Sequence, residues 1–155
     1  MKYTRLTKEQ FDSLSQEFIN FLATQSITAK EWESIKKSQP KVAEQELDVF
    51  SDLVWEGVLS KAKYLENTSK QQLFLFRISK SEMNLIVAKI TNTGVDISTK
   101  EGYAWLQENF ASDDVTFYTA SKDFSEDKKL DIFSLIQQGA VITKGQLYEF
   151  FKGII

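Results

Sequence analysis

The acidic side chains are the groups of this chain best suited to do chemistry, because histidine and cysteine are both absent. Their absence excludes Ser-His-Asp and Cys-His catalysis, Cys/His zinc sites and disulfides. Carboxylates can still hold an oxygen-coordinated Mg²⁺ ion. Asp96, Asp113 and Asp114 lie near the ends of predicted strands, and they define one hypothesis, a carboxylate-based Mg²⁺-dependent hydrolase.

A second group of acids forms a stripe along one long predicted helix. Its members, spaced every four residues, are Glu44, Asp48, Asp52 and Glu56. At about 100° per residue, Trp55 falls on this acidic side rather than with the apolar residues. An aromatic anchor beside a field of acids is typical of a surface that binds a basic protein. The alternative is that Trp55 and Leu59 pack under the segment after Gly57 while the acids are solvated.

We therefore predict a non-catalytic acidic protein-binding or adaptor module, in which the stripe and Trp55 contact a basic partner protein. The chain has no phosphate-binding loop, dinucleotide fingerprint or nucleophile motif, so we expect no cofactor and no enzymatic activity. The formal net charge of −3 argues against general nucleic-acid binding. The apolar runs are too short to span a bilayer, and the absence of cysteine fits the cytoplasm. The oligomeric state is left open.

The elements that position these residues begin with recurring helix-start signals. Thr7, Thr28 and Thr143 are each followed three residues later by a Gln or Glu that could complete a capping box. Ser98 with Glu101 offers a fourth box, in which Gly102 stands where the apolar staple residue would be. The spacing predicts helices from about Lys8 to Ala23, over Ala29–Lys37, and from Pro40 to Trp55 or beyond. The third helix is predicted to face the core with five residues: Val42, Val49, Phe50, Leu53 and Val54.

The middle of the chain permits two interpretations. The runs Leu73–Ile78 and Leu85–Ile90 are rich in branched or aromatic residues, which favours a β-hairpin. A helix start at Ser79 with Glu82 three residues later is the alternative, since periodicity does not separate runs this short. We favour strands. Strand 85–90, a helix over Thr99–Phe110 and strand 115–119 then predict a right-handed βαβ unit.

The predicted fold is a single mostly helical α+β domain spanning 1–155. Residues 1–60 form a three-helix unit, and residues 61–155 form the mixed α/β part. We expect the helical unit to pack on a small mixed sheet of three strands that contains the βαβ unit.

Two stretches also carry a resemblance to a known family. Residues 16–25 read QEFINFLATQ, and residues 43–59 read AEQELDVFSDLVWEGVL. The chain resembles an uncharacterised family of short flavobacterial-type cytoplasmic proteins, a domain of unknown function, over nearly its whole length. The resemblance implies a bacterial cytoplasmic setting and carries over no catalytic residues.

Overall fold

Seven helices and five strands make up the computed structural model, which describes residues 1–155. The strands form one antiparallel sheet, so the protein is α+β. The chain divides into two units, Met1–Ser60 and Lys61–Ile155, and the sheet lies entirely in the second unit.

The first unit contains four helices where the sequence predicted three. They are α1 (Lys8–Ser13), α2 (Ser15–Thr24), α3 (Ala29–Ser38) and α4 (Pro40–Lys61). The predicted first helix is divided at Leu14, whose backbone angles (φ −111°, ψ 25°) lie outside the helical region. Its N–H is shared between the carbonyls of Gln10 and Phe11, a bifurcated bond that is common where helices end.

The predicted caps at Thr7 and Thr28 are confirmed. The Thr7 hydroxyl accepts from the Gln10 N–H at 3.2 Å, and the Gln10 side chain accepts from the Thr7 N–H at 2.8 Å. The Thr28 hydroxyl accepts from the Glu31 N–H at 3.1 Å. These local bonds fix where α1 and α3 begin.

Aromatic rings from different helices fill the core of the first unit. Phe50 of α4 is only 4% exposed, and its ring centroid lies 5.1 Å from that of Phe18, 5.4 Å from Phe21 and 6.0 Å from Phe11. Trp32 of α3 meets Phe18 edge-on at 5.2 Å. The buried side of α4 is therefore the side that carries Phe50.

The second unit is built on a sheet with the strand order β4-β3-β2-β1-β5. The strands are β1 (Tyr64–Thr68), β2 (Gln72–Ile78), β3 (Glu82–Ile90), β4 (Val115–Asp123) and β5 (Val141–Thr143). The helices are α5 (Lys100–Asn109), α6 (Lys128–Gln137) and α7 (Gln146–Lys152). The predicted sheet of three strands was too small, because β1 and β5 were missed.

The predicted hairpin over 73–90 is confirmed as β2 and β3. The residues that resembled a helix start form its turn instead. The Ser79 N–H donates to the Glu82 carbonyl at 2.9 Å, and the Glu82 N–H donates to the Ser79 hydroxyl at 3.2 Å. A bond from an N–H to the hydroxyl of the serine three residues earlier can cap a helix, but here it closes the two-residue turn of the hairpin.

The predicted βαβ unit is wrong, because β3 and β4 are antiparallel neighbours, with Ile90 opposite Val115. The ten residues of α5 rise only about 15 Å, whereas a nine-residue strand is about 30 Å long. The helix does not return the chain to the start of β3. The chain re-enters the sheet where β3 ends, and the Thr91 N–H donates to the Asp114 carbonyl at 2.8 Å.

The caps predicted at Ser98 and Thr143 are both wrong, because Thr99 caps α5, one residue later than predicted, and Thr143 caps no helix. The Thr99 hydroxyl accepts from the Gly102 N–H at 3.0 Å. Thr143 belongs to β5, and the left-handed Gly145 (φ 82°) precedes α7. A Cβ at Gly145 would overlap the ring of Tyr64, so strand pairing and this close approach decide where α7 begins.

One face of the sheet carries the core of the second unit. Its buried apolar residues come from β2, β3 and β4, and side chains of α5 and α7 pack against them. The central members are Leu73, Leu75, Ile86, Ala88, Leu106 and Phe151.

Candidate functional site

The acidic stripe of α4 contacts the N-terminal segment, Met1–Leu6. Asp48 accepts from Nε of Arg5 at 2.6 Å. Glu56 accepts from the Tyr3 hydroxyl at 2.7 Å and from Nζ of Lys2 at 3.4 Å. Two of the four predicted acids therefore pair with cations of the same chain.

Asp52 binds the backbone of the N-terminal segment. Its two carboxylate oxygens accept from the N–H of Lys2 at 2.8 Å and the N–H of Tyr3 at 3.0 Å. Bonds from backbone N–H groups to a carboxylate are charge-assisted and stronger than neutral ones. The arrangement holds the segment by its main chain as well as by its side chains.

Polar neighbours of the stripe complete the contact. The fully buried Ser51 hydroxyl accepts from the Leu6 N–H at 3.0 Å and donates to the Leu47 carbonyl at 2.7 Å. The half-buried Trp55 donates its indole N–H to the Thr4 carbonyl at 3.1 Å. The predicted residues Asp48, Asp52, Trp55 and Glu56 thus lie together on one surface. Glu44 is exposed and makes none of these hydrogen bonds.

The electrostatics of the contact follow from these partners. The hydrogen bond from Arg5 to Asp48 raises the pKa of the guanidinium above its ordinary value. Burial, followed by the hydrogen bond to Glu56, raises the pKa of the Tyr3 phenol above 10.0. Both shifts keep the segment in the protonation state that binds α4.

The face of α4 that points away from the core carries apolar side chains. Val42 is 37% exposed, Val49 is 52% exposed and Leu53 is 55% exposed. The sequence predicted these three residues to face inward, and that prediction is wrong. The aromatic cluster occupies the side of the helix that carries Phe50, while the N-terminal segment occupies another side. The line Val42–Val49–Leu53, here called the apolar line, is left exposed.

The acids of the hydrolase hypothesis do not form a metal site. No group of three or more Asp, Glu, His or Cys side chains lies in position to hold a metal ion. Asp96 accepts from both the N–H and the hydroxyl of Ser98, which lowers the pKa of its carboxyl. The Asp114 N–H bonds to the Ser112 hydroxyl at 3.2 Å. The Asp96 carboxylate therefore stabilises a local turn.

A cleft in the second unit was missed by the sequence analysis. It has a volume of about 460 Å³ and is flanked by α5, with an adjoining cavity of about 290 Å³ beside β5. Both volumes are lined by Glu66, Tyr103 and Leu147. The signal that could have found it is Glu66 itself, a carboxylate beside Leu65 in the short run Tyr64–Thr68 that precedes the apolar strand β2.

Glu66 and Tyr103 are both perturbed by this environment. Burial raises the pKa of the Glu66 carboxyl above 4.5, and a hydrogen bond with Thr143 offsets part of the rise. Burial, followed by the nearby charge of Glu66, raises the pKa of Tyr103 above 10.0. Perturbed titratable groups in a cleft are typical of binding and catalytic sites.

The raised pKa of Glu66 predicts how stability depends on pH. The protonated carboxyl is favoured in the folded state, so its contribution is complete below pH 4.5 and is lost as pH rises through the folded pKa. Glu66→Gln, which cannot ionise, is therefore expected to gain stability relative to the natural protein as pH rises from below 4.5 to neutral. Urea denaturation at a series of pH values measures the difference.

Asp96 provides a comparison in which the pH dependence of stability has the opposite sign. Its lowered pKa means that the ionised form stabilises the fold above pH 3.8, and this contribution is lost as pH falls through the folded pKa. Asp96→Asn is expected to lose stability relative to the natural protein at neutral pH and not at low pH. A Glu66→Gln difference that stays constant or shrinks with rising pH would contradict the assigned environment.

These features define an α+β protein with an acidic helix that holds its own basic N-terminal segment, and with a separate carboxylate cleft. The chain belongs to the DUF6495 family, a family of unknown function, whose model matches residues 1–155. No curated protein and no solved structure matches the chain. None of its helices combines the length and apolar character needed to cross a membrane.

Proposed function

We propose that the protein is a non-catalytic acidic protein-binding or adaptor module, and that α4 provides its contact surface. The observation that carries the proposal is the apolar line. Val42, Val49 and Leu53 lie on one side of a 22-residue helix and are exposed. Clustered exposed apolar residues with a polar rim are typical of surfaces that bind other proteins.

The charge of the rim supports a basic partner. Five acids lie between Lys41 and Lys61, more than the two cations, Lys2 and Arg5, that the N-terminal segment brings to them. At about 100° per residue, Glu46 and Glu56 fall on opposite sides of the apolar line. A partner helix with apolar residues on one face and flanking lysine or arginine side chains would complement this surface.

The same charges argue against a second copy of this chain as the occupant. Two α4 helices packed through their apolar lines would place the acidic flanks of both copies, Glu46 and Glu56 among them, at one interface. Like charges facing each other across an interface cost several kcal/mol. A basic partner removes that repulsion.

The acidic stripe has a supporting role in the proposal. Asp48, Asp52 and Glu56 hold the N-terminal segment and contribute to the negative field, to which the exposed Glu44 adds. At about 100° per residue Trp55 lies on the other side of α4 from the apolar line, so in the proposal its indole holds the segment through Thr4 and does not contact the partner. The proposed setting is the bacterial cytoplasm, which the absence of cysteine supports.

Site-specific photocrosslinking in the native cell tests this proposal. A photocrosslinking amino acid at position 49, on the apolar line, is expected to capture a basic protein. The matched control carries it at position 130, an exposed leucine of α6. Equal capture of the same proteins from both positions, or capture only of a second copy of this chain, would contradict the proposal.

A substitution pair then measures the contribution of the apolar line. Leu53→Gln keeps the charge and the helix propensity of α4 but removes an apolar side chain, which when fully buried contributes about 1.5–3 kcal/mol. We expect the captured partner to bind about tenfold more weakly or worse, since 1.4 kcal/mol corresponds to tenfold. Leu130→Gln is the control and should leave the affinity unchanged. Calorimetry with the purified partner gives both values.

A further inference from the structure

Glu66 occupies a position where the fold would ordinarily place an apolar side chain. It lies in β1 with a strand on either side, directly opposite Leu75, which is fully buried on the core-bearing face of the sheet. Neighbouring lining residues of the cleft include Leu73, Leu106 and Leu147. A carboxylate in such surroundings loses hydration unless a partner compensates.

The structure supplies Glu66 with a hydroxyl but no countercharge. The influences on the Glu66 pKa are burial and the hydrogen bond with Thr143, and no lysine or arginine is among them. Lys100 and Lys144 line the two cavities but are exposed to solvent. No lysine or arginine forms an ion pair with Glu66.

Tyr103 adds an aromatic wall beside this carboxylate. Tyr103 belongs to α5 and is half-buried. It lies close enough to Glu66 for the charge of that carboxylate to raise the pKa of the Tyr103 phenol. A carboxylate next to the ring of an aromatic residue is the combination that binds organic cations, because both attract positive charge.

We propose that the cleft lined by Glu66 and Tyr103 binds a small organic cation, an amine or a guanidinium compound. The cationic head pairs with Glu66 beside the Tyr103 ring, and an apolar stem lies along Leu106 and Leu147. The volume of about 460 Å³ is within the range of small-molecule sites. This site lies in the second unit and does not depend on the protein-binding proposal for α4.

Charge distinguishes organic cations from neutral and anionic ligands of the same shape. A bound cation compensates the half-buried carboxylate, whereas a neutral ligand of the same shape leaves it uncompensated and an anion repels it. Protonation of Glu66 removes the attraction. Cation binding is therefore expected to weaken as pH falls through the raised pKa of Glu66.

Four probes of similar size test the proposal by NMR titration of the full chain. Butylamine and butylguanidine are the cations, and 1-butanol and butyrate are the neutral and anionic controls. We expect the two cations to shift the amide signals of Glu66, Tyr103 and Leu147 saturably, with a Kd on the order of millimolar for ligands this small. Equal binding of 1-butanol, or no saturable shift with either cation, would overturn the proposal.

Matched variants show whether the named residues bind the cation. Glu66→Gln keeps the shape and is expected to weaken butylamine binding at least about tenfold, which corresponds to the loss of one charge-assisted contact. Tyr103→Leu is expected to weaken it about threefold through loss of the aromatic contact. Glu101→Gln, an exposed acid of α5 outside the cleft lining, is the control and should bind like the natural protein.

The stability of the Glu66→Gln variant distinguishes a lost binding contact from misfolding. Glu66→Gln is expected to be folded and at least as stable as the natural protein at neutral pH, so a loss of binding is attributable to the lost charge. Undiminished butylamine binding by a folded Glu66→Gln variant would show that Glu66 is not the cation partner and would overturn the proposal.

Discussion

Replacing Asp52 with alanine is expected to lower the free energy of unfolding by about 2–3 kcal/mol. Hydrogen bonds to charged groups contribute about 1.5–3 kcal/mol each, and Asp52 accepts two, from the N–H groups of Lys2 and Tyr3. The expected loss is smaller than the sum for two such hydrogen bonds, because the bond from the Lys2 N–H is exposed to solvent. Urea denaturation measures the loss, and hydrogen exchange at Lys2 and Tyr3 shows whether the segment is released.

The control for Asp52→Ala is Glu44→Ala. Glu44 lies on the same helix, carries the same charge, is exposed and makes none of the hydrogen bonds to the N-terminal segment. Surface substitutions away from specific contacts change stability by less than about 0.5 kcal/mol. Equal effects of the two substitutions would mean that the segment is not held by Asp52.

Changing Asp48, Asp52 and Glu56 together to lysine would disturb the fold as well as any partner binding, because these three acids hold the N-terminal segment.

Replacing Phe50 with alanine is expected to cost about 3–5 kcal/mol, the range for removing a buried phenylalanine from a core. The ring of Phe50 contacts three other phenylalanine rings and is only 4% exposed. Its removal leaves a cavity that the surrounding helices cannot fill without moving. Chemical denaturation of the natural protein and the variant gives the difference.

Leu53→Ala is the matched control for Phe50→Ala, three residues further along α4. Because Leu53 is exposed and alanine is a good helix former, the change is expected to alter stability by less than about 0.5 kcal/mol. A large loss from Leu53→Ala would mean that the apolar line is covered within the protein. That result would remove the surface on which the proposed protein binding depends.

The local features of the fold were predictable because they depend on residues close in sequence. The caps at Thr7 and Thr28 form as predicted, since a side chain and an N–H three residues apart suffice. The β2–β3 hairpin was also predicted, since branched and aromatic runs separated by a short polar turn favour it. The start of α4 at Pro40 follows from the chemistry of proline.

What the sequence predicted of the acidic stripe was which of its acids share one side of α4. The spacing of the stripe placed Asp48, Asp52 and Glu56 on one side of α4, as the structure does. Periodicity did not reveal what covers that side, because the contact between Asp52 and Lys2 joins residues 50 positions apart. The short basic segment before α1 was the available signal.

Composition and spacing by themselves determined that this chain has no histidine or cysteine chemistry, where several helices begin, and which acids share one side of α4. Tertiary structure decided which side of α4 is buried, which strands pair with β1, and that Glu66 lines a cleft. The physical reason is the separation along the chain of the groups that interact. Caps and turns are settled within about four residues, whereas burial, strand pairing and the pKa of a carboxyl depend on groups that only the folded chain brings together.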